Sequence, residues 1–562
     1  MNFNDLPLTI PNLEKVKKQY EDILQEIKEA DTPEKVVSLI HKKDKIDVEV
    51  SSDVSIINIR YTIDTTNKEY KEANEKINQI IPVISSYSLP IVKEILAKPF
   101  RKEMEDKLGK FLFDKMENSL LAFDEKIIPN LIKDNELCSK HDEILGSSKI
   151  KYNGEIYTIT QLGKFTNSPD RQVRKEVSKL IENFFKKNNE ELGKVYDEMV
   201  KNRNEIALKM GFNNFMEYQY KSLGRVDYDF EDVRKYRDQI YRVVLPIYKK
   251  LIRKQSKLLD IKTLQFYDLN LDFKDGNPQP NGEIDELVEY AKKMYNQMSP
   301  DIGSFFEMMA DSNLLSLKAT PGKVPGGYMT TILKYKVPFI FANSNGTTGD
   351  VDTLTHEVGH AFQYYNARNV GISDYTMPTL EACEIHSMSM EFLTYPYMNL
   401  FFNDMAEKYK YMHLKDAITI LPYICLIDEF QENVYLNVNM SHEERCAKFR
   451  ELEKKWLPLK KYNGFPFYNK GTWWLKQGHV FNSPFYYIDY SLAQVVAFQF
   501  FEESLKNKDK TWKKYVRLCK MGGKYPFLTL LEKNHLRNPF IEGNVKKAIK
   551  PLLKILNSYN ID

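Results

Sequence analysis

The chain has 562 residues, of which 42% are hydrophobic and 28% are charged, and its formal net charge is +3. This composition is typical of a globular protein, and the length predicts several domains or one large two-lobed body. No Lys/Arg-dense block with interleaved aromatic residues and no run of about 18 apolar residues occurs, so we expect neither a nucleic-acid partner nor a membrane span.

The first part of the chain is predicted to be helical. Its start, MNFNDLPLTIPNLEKVKK, lacks the basic residues and apolar run of a signal peptide. NLEKVKKQYEDILQEIKEA and VRKEVSKLIENFFKKNNEELGKVYDEMVKNRNEIALKM repeat apolar residues every three or four positions, as amphipathic helices do. The five cysteines are scattered and odd in number, which favours a reducing cytoplasm over a disulfide framework.

Two short strand pairs are predicted among the helices. GSSKIKYNGEIYTITQLGKF is typical of a β-hairpin that turns at Asn153 and Gly154. Further along, GGYMTTILKYKVPFIFANSNG places β-branched and aromatic residues before a turn rich in Gly, Asn and Thr, which predicts two more strands. These strands lead directly into a helix, GDVDTLTHEVGHAFQYYN.

That helix carries the motif H-E-x-x-H at His356, Glu357 and His360. At about 100° per residue, both histidines lie on the side opposite the apolar face, and their spacing lets two imidazoles bind one ion. Glu357 projects beside them and is expected to reach a water on the metal. Gly359 costs roughly 0.8–1 kcal/mol of helix stability and is tolerable if another backbone approaches closely. The alternative is a polar face with two solvated histidines.

A catalytic zinc requires a third protein ligand. Gln363 and Asn366 stand where the longer motif H-E-x-x-H-x-x-G-x-x-H has Gly and His, which excludes that class. The next predicted helix, MPTLEACEIHSMSMEFLTYPYM, contains several possible ligands, and spacing alone does not choose among them. Two of its glutamates share a face. The candidates are Glu381, Glu384, His386 and Glu391.

HEVGHAFQYYNAR followed by LEACEIHSMSMEF resembles the thimet oligopeptidase and oligoendopeptidase F family of zinc metallopeptidases, especially its oligoendopeptidase F and Pz-peptidase branch. RNEIALKMGFNNFMEYQYKSLGRVDYD and LIDEFQENVY also resemble segments of that family. The resemblance implies a mainly α, two-lobed, zincin-like fold with a small mixed sheet at the active site and a deep substrate channel. We expect an N-terminal helical region over residues 1–170 and the zinc peptidase region over residues 171–562, which contributes to both lobes.

The resemblance also implies the metal site. The family's third ligand is the Glu of an A-E-[VI]-x-S segment, 28 positions after the first His, which corresponds to Glu384. One Zn²⁺ per chain would be held by His356, His360 and Glu384, and Glu357 would be the general base and acid. Asp352, four residues before His356, is expected either to orient that ring or to be an acid favoured by the start of the helix.

The segment HVFNSPFYYIDYSLAQ resembles the family region that supplies hydrogen-bond donors to the oxyanion. His479 and Tyr490 match this pattern, and Tyr486 and Tyr487 are further candidates, since the preceding loop varies in length among relatives. Aromatic packing is the alternative for all three tyrosines.

The resemblance also favours a substrate site on the predicted strands. An extended peptide is expected to pair with the strand at Phe341, Ala342 and Asn343 by strand addition. The turn before it, with Gly326, Gly327 and Tyr328, would close over the peptide.

These features predict a cytoplasmic zinc endopeptidase that hydrolyses internal bonds of short peptides, as a monomer or a small homo-oligomer. An aminopeptidase that uses the same two helices is one alternative, which an N-terminally blocked peptide would distinguish. A catalytically silent peptide-binding protein is the other, which zinc content and peptide turnover would distinguish.

Overall fold

The structure is a computed structural model that describes residues 1–320 and 322–561. Helices form 71% of it, which confirms the mainly α prediction. The N-terminal helices begin with side-chain caps, since Asn12, Thr32 and Asn67 each accept a hydrogen bond from a first-turn backbone N–H. The helices are α1 (Leu13–Glu29), α2 (Pro33–Ile63), α3 (Lys68–Leu96), α4 (Arg101–Leu108), α5 (Lys110–Ala122) and α6 (Ile128–Gly146).

The hairpin follows α6 and confirms the sequence prediction. Strands β1 (Ile150–Tyr152) and β2 (Glu155–Tyr157) pair antiparallel. The turn residues Asn153 and Gly154 have φ values of 49° and 85°, the left-handed conformation that a tight two-residue hairpin turn requires. Helices then continue as α7 (Ile159–Thr166), α8 (Arg171–Lys187), α9 (Asn189–Lys209), α10 (Phe215–Ser222), α11 (Phe230–Leu258), α12 (Ile284–Met298) and α13 (Pro300–Asp311).

A small mixed sheet lies against the helix that carries the H-E-x-x-H motif. It comprises β3 (Leu315–Lys318), β4 (Tyr328–Ile332) and β5 (Val337–Ser344), in the order β3-β5-β4. Strand β5 runs parallel to β3 and antiparallel to β4. Five of its eight residues are buried, because β5 is covered on both edges and packs on α14 (Thr348–Ala367). The predicted sheet is therefore confirmed.

Helix α14 occupies the centre of the C-terminal part. It packs against α15 (Leu380–Leu393), which in turn packs against α22 (Tyr487–Lys506). The apolar side of α14 is buried as predicted, with Val351, Leu354, Val358 and Phe362 at most 1% exposed. The other helices are α16 (Asn399–Phe402), α17 (Ala406–Thr419), α18 (Leu421–Leu436), α19 (His442–Trp456), α20 (Pro466–Asn469), α21 (Gly478–Asn482), α23 (Lys508–Met521), α24 (Phe527–Lys533) and α25 (Asn544–Leu556).

No single helix among residues 1–320 and 322–561 is long and apolar enough to cross a membrane. One pair of helices, α3 and α4, passes the same test together by length and composition, although the pair is bent by 113°.

Candidate metal centre

Three side chains from α14 and α15 converge on one point. The Nε2 atoms of His356 and His360 lie 3.2 and 3.5 Å from Glu384 Oε2. One ligand atom from each of the three side chains lies within 4.8 Å of the other two. Two imidazole nitrogens and a carboxylate oxygen are the donor set of catalytic zinc sites, which leave a fourth position open. The residues present therefore fit a zinc ion.

Gly359 allows the two helices to approach this closely. A Cβ at this position would lie 2.6 Å from Ser387 Cα and 2.8 Å from the carbonyl oxygen of His386, both in the backbone of α15. The close backbone contact that this glycine suggested is thus present. It sets the distance between the two histidines of α14 and the glutamate of α15.

A second carboxylate supports His356 from its other side. Nδ1 of His356 lies 2.6 Å from Glu391 Oε1, and the other oxygen of Glu391 lies 2.8 Å from His413 Nε2. His413 is bonded in turn to the Tyr395 hydroxyl at 2.7 Å. Because Nδ1–H donates to Glu391, Nε2 is the nitrogen of His356 that would bind a metal once its own proton has left. Burial lowers the pKa of His356, but its bonds to Glu384 and Glu391 outweigh burial and raise it well above its usual value.

The expectation that Asp352 orients His356 is wrong, because Glu391 occupies Nδ1. Asp352 instead accepts a hydrogen bond from the Tyr409 hydroxyl at 2.6 Å. Asp352 lies about one helical turn before His356 on the same side of α14, but Tyr409 of α17 packs against this carboxylate and takes its hydrogen bond.

Glu381 and His386 stand apart from the three-residue cluster. Glu381 is 2% exposed, and burial followed by the charge of Asp489 raises its pKa to about 8, against the opposing charge of Arg225. His386 is fully buried and its Nδ1 is bonded to the carbonyl of Ala382, one turn earlier in α15, at 2.6 Å.

Glu357 lies beside the cluster with one oxygen unused. Its side chain is 7% exposed, and Oε2 has no hydrogen-bond partner among the residues that the structure describes. Burial raises the pKa of this carboxylate, and the neighbouring His356 and His360 oppose that shift. Oε1 lies 3.8 Å from the position that a Cβ on Gly327 would occupy. A buried carboxylate without a partner beside a metal-ligand set is suited to accept a proton.

The aromatic segment predicted to assist lies next to Glu384. The Tyr486 hydroxyl donates to Glu384 Oε1 at 2.5 Å, and the Tyr490 ring lies 5.2 Å from that of Tyr486. The ring centroid of His479 lies 4.7 Å from that of Tyr487, with the rings tilted, and 5.7 Å from that of Tyr490, edge to face. The structure thus brings all four residues together, with Tyr486 bonded to Glu384 and Tyr487 packed beside the imidazole of His479.

Gln477 determines which nitrogen of His479 carries a proton. Its Nε2 donates to His479 Nδ1 at 2.8 Å, while its Oε1 accepts from the Tyr423 hydroxyl at 3.0 Å. Burial lowers the pKa of His479. The ring is therefore neutral near pH 7 with its proton on Nε2, which is left as a hydrogen-bond donor.

The expected pairing of a peptide with β5 is wrong. Phe341 pairs with Ser316 of β3 and with Tyr328 of β4, so β5 is the central strand and has no free edge there. Ala342 is 5% exposed, and Asn343 donates hydrogen bonds to the carbonyls of Val324 and Gly326, both at 2.8 Å. Asn343 thus holds the turn before β4.

The turn at Gly326 and Gly327 lies at the start of the outer strand of the sheet. Gly326 and Gly327 are exposed and lead into β4, an outer strand. Tyr328 stacks on Phe341 with ring centroids 4.8 Å apart, and its hydroxyl lies 2.6 Å from that of Thr62 on α2. Gly327, immediately before β4, lies close to Glu357, because a Cβ there would be 3.8 Å from Oε1 of that carboxylate.

Sequence reasoning missed several supporting residues. The spacing of Glu384 and Glu391 showed that they share a helix face. It did not show that Glu391 would contact Nδ1 of His356. His413 lies 57 residues after His356 and Gln477 two residues before His479, and neither belongs to a motif. Only the packing of α17 and of the segment before α21 brings them to the site.

Family models match most of the chain. The model described as peptidase M3 N-terminal domain matches residues 3–123, and the model described as peptidase family M3 matches residues 164–548. No curated protein matches the chain by sequence.

Three solved structures are similar over nearly the whole chain. Pz peptidase A, solved with an inhibitor, is 40% identical with a TM-score of 0.97, and each chain is covered to 99%. A candidate oligoendopeptidase F is 39% identical with a TM-score of 0.97 and the same coverage. Another candidate oligoendopeptidase F, from Bacillus anthracis str. Ames, is 40% identical with a TM-score of 0.92. The match covers 99% of this chain and 98% of that protein's chain.

Proposed function

The chain belongs to peptidase family M3 and is a metalloendopeptidase; from that premise we propose that it uses zinc to hydrolyse internal bonds of short peptides. The observation that supports this most directly is the convergence of His356, His360 and Glu384 beside the unpartnered carboxylate of Glu357. One Zn²⁺ per chain and a cytoplasmic location are parts of the same proposal.

Glu357 moves the proton in this mechanism. His356, His360 and Glu384 would hold the zinc ion, which as a Lewis acid would acidify a water and polarise the scissile carbonyl. The free Oε2 of Glu357 accepts the proton of the attacking water and then delivers it to the leaving nitrogen. Burial of Glu357 keeps competing water away from this oxygen and raises its basicity.

His479 and Tyr490 stabilise the oxyanion. The bond from Gln477 leaves the Nε2–H of His479 as a donor, and burial, the largest cause, raises the pKa of Tyr490 so that its hydroxyl keeps its proton. Neutral donors placed where negative charge develops favour the tetrahedral transition state. Tyr486 serves chiefly to orient Glu384, since its hydroxyl is bonded to that ligand.

The peptide binds along the outer edge of β4. This edge begins at Gly327, whose missing side chain leaves room beside Oε1 of Glu357. An extended peptide that pairs with β4 would carry its carbonyl past the metal ligands, and main-chain hydrogen bonds make such binding tolerant of side-chain identity. Gly326 and Tyr328 flank the same edge.

Glu357→Gln tests the mechanism, because it keeps the size of the side chain and removes its basicity. The variant should retain zinc near the wild-type content and lose at least the roughly 10²–10⁴-fold in turnover that a general base contributes. Glu381→Gln is the matched control, since Glu381 is also a buried carboxylate but lies outside the ligand cluster, and it should keep both properties. Loss of zinc from Glu357→Gln, or near-normal turnover, would contradict the assigned role.

Substrate size tests the enclosed site. Peptides of about a dozen residues should be cut internally, as mass spectrometry of the products would show, whereas casein should be cut slowly. An N-terminally blocked peptide should be cut as well as a free one, which an aminopeptidase would not do. Rapid, extensive digestion of casein would refute the predicted channel.

A further inference from the structure

A row of half-buried rings leads away from the metal centre, and we call it the aromatic wall: Tyr486, His479, Tyr487 and Tyr423, with Trp473 joined to Tyr423 through the Lys460 ammonium, which lies over both rings. It starts at the Tyr486 hydroxyl on Glu384. Successive ring centroids lie 6.2 Å apart from Tyr486 to His479, 4.7 Å from His479 to Tyr487, and 6.2 Å from Tyr487 to Tyr423. All five residues are partly exposed, so the wall presents a surface that a peptide extending from the metal can contact.

Two lysines stand at the far end of the aromatic wall. Lys460 Nζ lies 3.6 Å from the ring centroid of Trp473 and 5.8 Å from that of Tyr423. Lys476 Nζ lies 4.1 Å from the centroid of the same Trp473 ring. The wall therefore joins the metal ligand Glu384 to a pair of ammonium groups.

The charge at this end is not balanced. Glu453 is fully buried and is contacted by Lys460 at 3.2 Å and by Arg450 at 2.8 Å. Lys476 has neither a carboxylate nor a hydrogen-bond partner among the residues that the structure describes, and its ammonium contacts only the rings of Trp473 and Tyr468. Arg450 and Lys460 thus both contact Glu453, and the third cation, Lys476, is left without a paired carboxylate. Burial, together with the charge of Lys460, lowers the pKa of Lys476 to about 7, as expected for an ammonium group without a counter-charge.

We propose that Lys476 binds a carboxylate of the peptide substrate, several residues from the bond that is cut. This inference rests on the proposed peptidase function and adds a specificity for acidic groups to it. A carboxylate in contact with Lys476 would supply the missing counter-charge, and Trp473 would pack against the adjoining peptide. The carboxylate belongs either to the free C-terminus or to an acidic side chain, two sources of one chemistry. An extended chain of about eight residues or fewer spans the wall, at roughly 3.3 Å per residue.

Binding to the Glu357→Gln protein tests this without turnover. The probes are dye-labelled peptides with neutral side chains, about six to ten residues long, that end in a free carboxylate or in an amide. A third set ends in an amide but carries one Glu near its end. At the optimal length the acidic peptide should bind at least tenfold more tightly than the neutral amide, and adding Lys476→Met should abolish that preference.

Two further variants separate charge from structure. Lys476→Arg keeps the charge and should keep a preference for acidic peptides. Lys254→Met is the matched control, because Lys254 is also partly buried over a ring, that of Tyr411 at 4.5 Å, but belongs to α11 away from the wall; it should leave the preference intact. Tight binding of free acids alone assigns the carboxylate to the C-terminus, and tight binding of the Glu-containing amides assigns it to a side chain.

Equal affinity for acidic and neutral peptides at every length would overturn the inference, as would a preference that survives in Lys476→Met. Turnover of the neutral amide by the wild-type chain is measured in parallel. Its absence would refute the proposed peptidase function while leaving the binding result to decide the role of Lys476.

Discussion

Replacing Gly359 with alanine should damage the metal site through packing alone. The added Cβ would lie 2.6 Å from Ser387 Cα, 2.8 Å from the His386 carbonyl oxygen and 3.0 Å from Met390 Cβ. Two of these atoms are backbone, so no rotamer change relieves the contact. Helix α15 must move away from α14 by about 1 Å to restore ordinary carbon separations.

The expected magnitude combines two opposing effects. Overpacking of this kind typically costs about 1–3 kcal/mol, whereas alanine in place of glycine stabilises a helix by roughly 0.8–1 kcal/mol. Because the clash is with backbone, we expect the upper part of the range, a net loss of about 2 kcal/mol. The same shift separates Glu384 from His356 and His360, and zinc ligand distances tolerate only about 0.2 Å, so zinc affinity should fall at least about tenfold.

Chelator competition measures the zinc affinity, and thermal unfolding of the zinc-free protein measures the stability. Gly163→Ala in α7 is the matched control, since a Cβ there meets no atom within 4 Å and should stabilise the helix slightly. Wild-type zinc affinity and an unchanged or raised unfolding midpoint in Gly359→Ala would refute the argument that this contact sets the ligand distances.

Replacing the carboxylates around the site one at a time should have different effects on zinc binding and on stability. Glu384→Gln should lose zinc most severely, and Glu391→Gln should bind zinc about 10–100-fold more weakly because His356 Nδ1 loses its carboxylate partner; chelator competition that finds Glu391→Gln equal to wild type would contradict this. The pKa of Glu381 is raised to about 8 by burial and by Asp489, so the folded protein binds more protons than the unfolded one between about pH 4.5 and 8. Its contribution to stability therefore falls as pH rises through that window, and Glu381→Gln should raise the thermal midpoint near pH 8.5 but not near pH 5. An identical pH dependence in variant and wild type would contradict that assignment.

Much of the site could be predicted because it depends on local geometry. The pitch of a helix places His356 and His360 on one side whatever surrounds them, and the turn chemistry of Asn153 and Gly154 specifies a hairpin. The resemblance of LEACEIHSMSMEF to a known family then indicated Glu384, which lies within reach of both histidines in the structure. The relative positions of residues that are close in sequence, or that form a motif of fixed spacing, can be predicted without knowledge of the tertiary fold.

Other features were decided only by tertiary packing. Whether β5 lies at an edge or at the centre depends on β3, which pairs with it in parallel from the far side, and no local pattern in β5 records that partner. The bond from Glu391 to His356 spans 35 residues, and the meeting of Lys460 and Lys476 at Trp473 requires the turns that follow α19. Sequence patterns determine which side of an element is apolar, whereas the partner of a polar side chain depends on which distant element packs against that side.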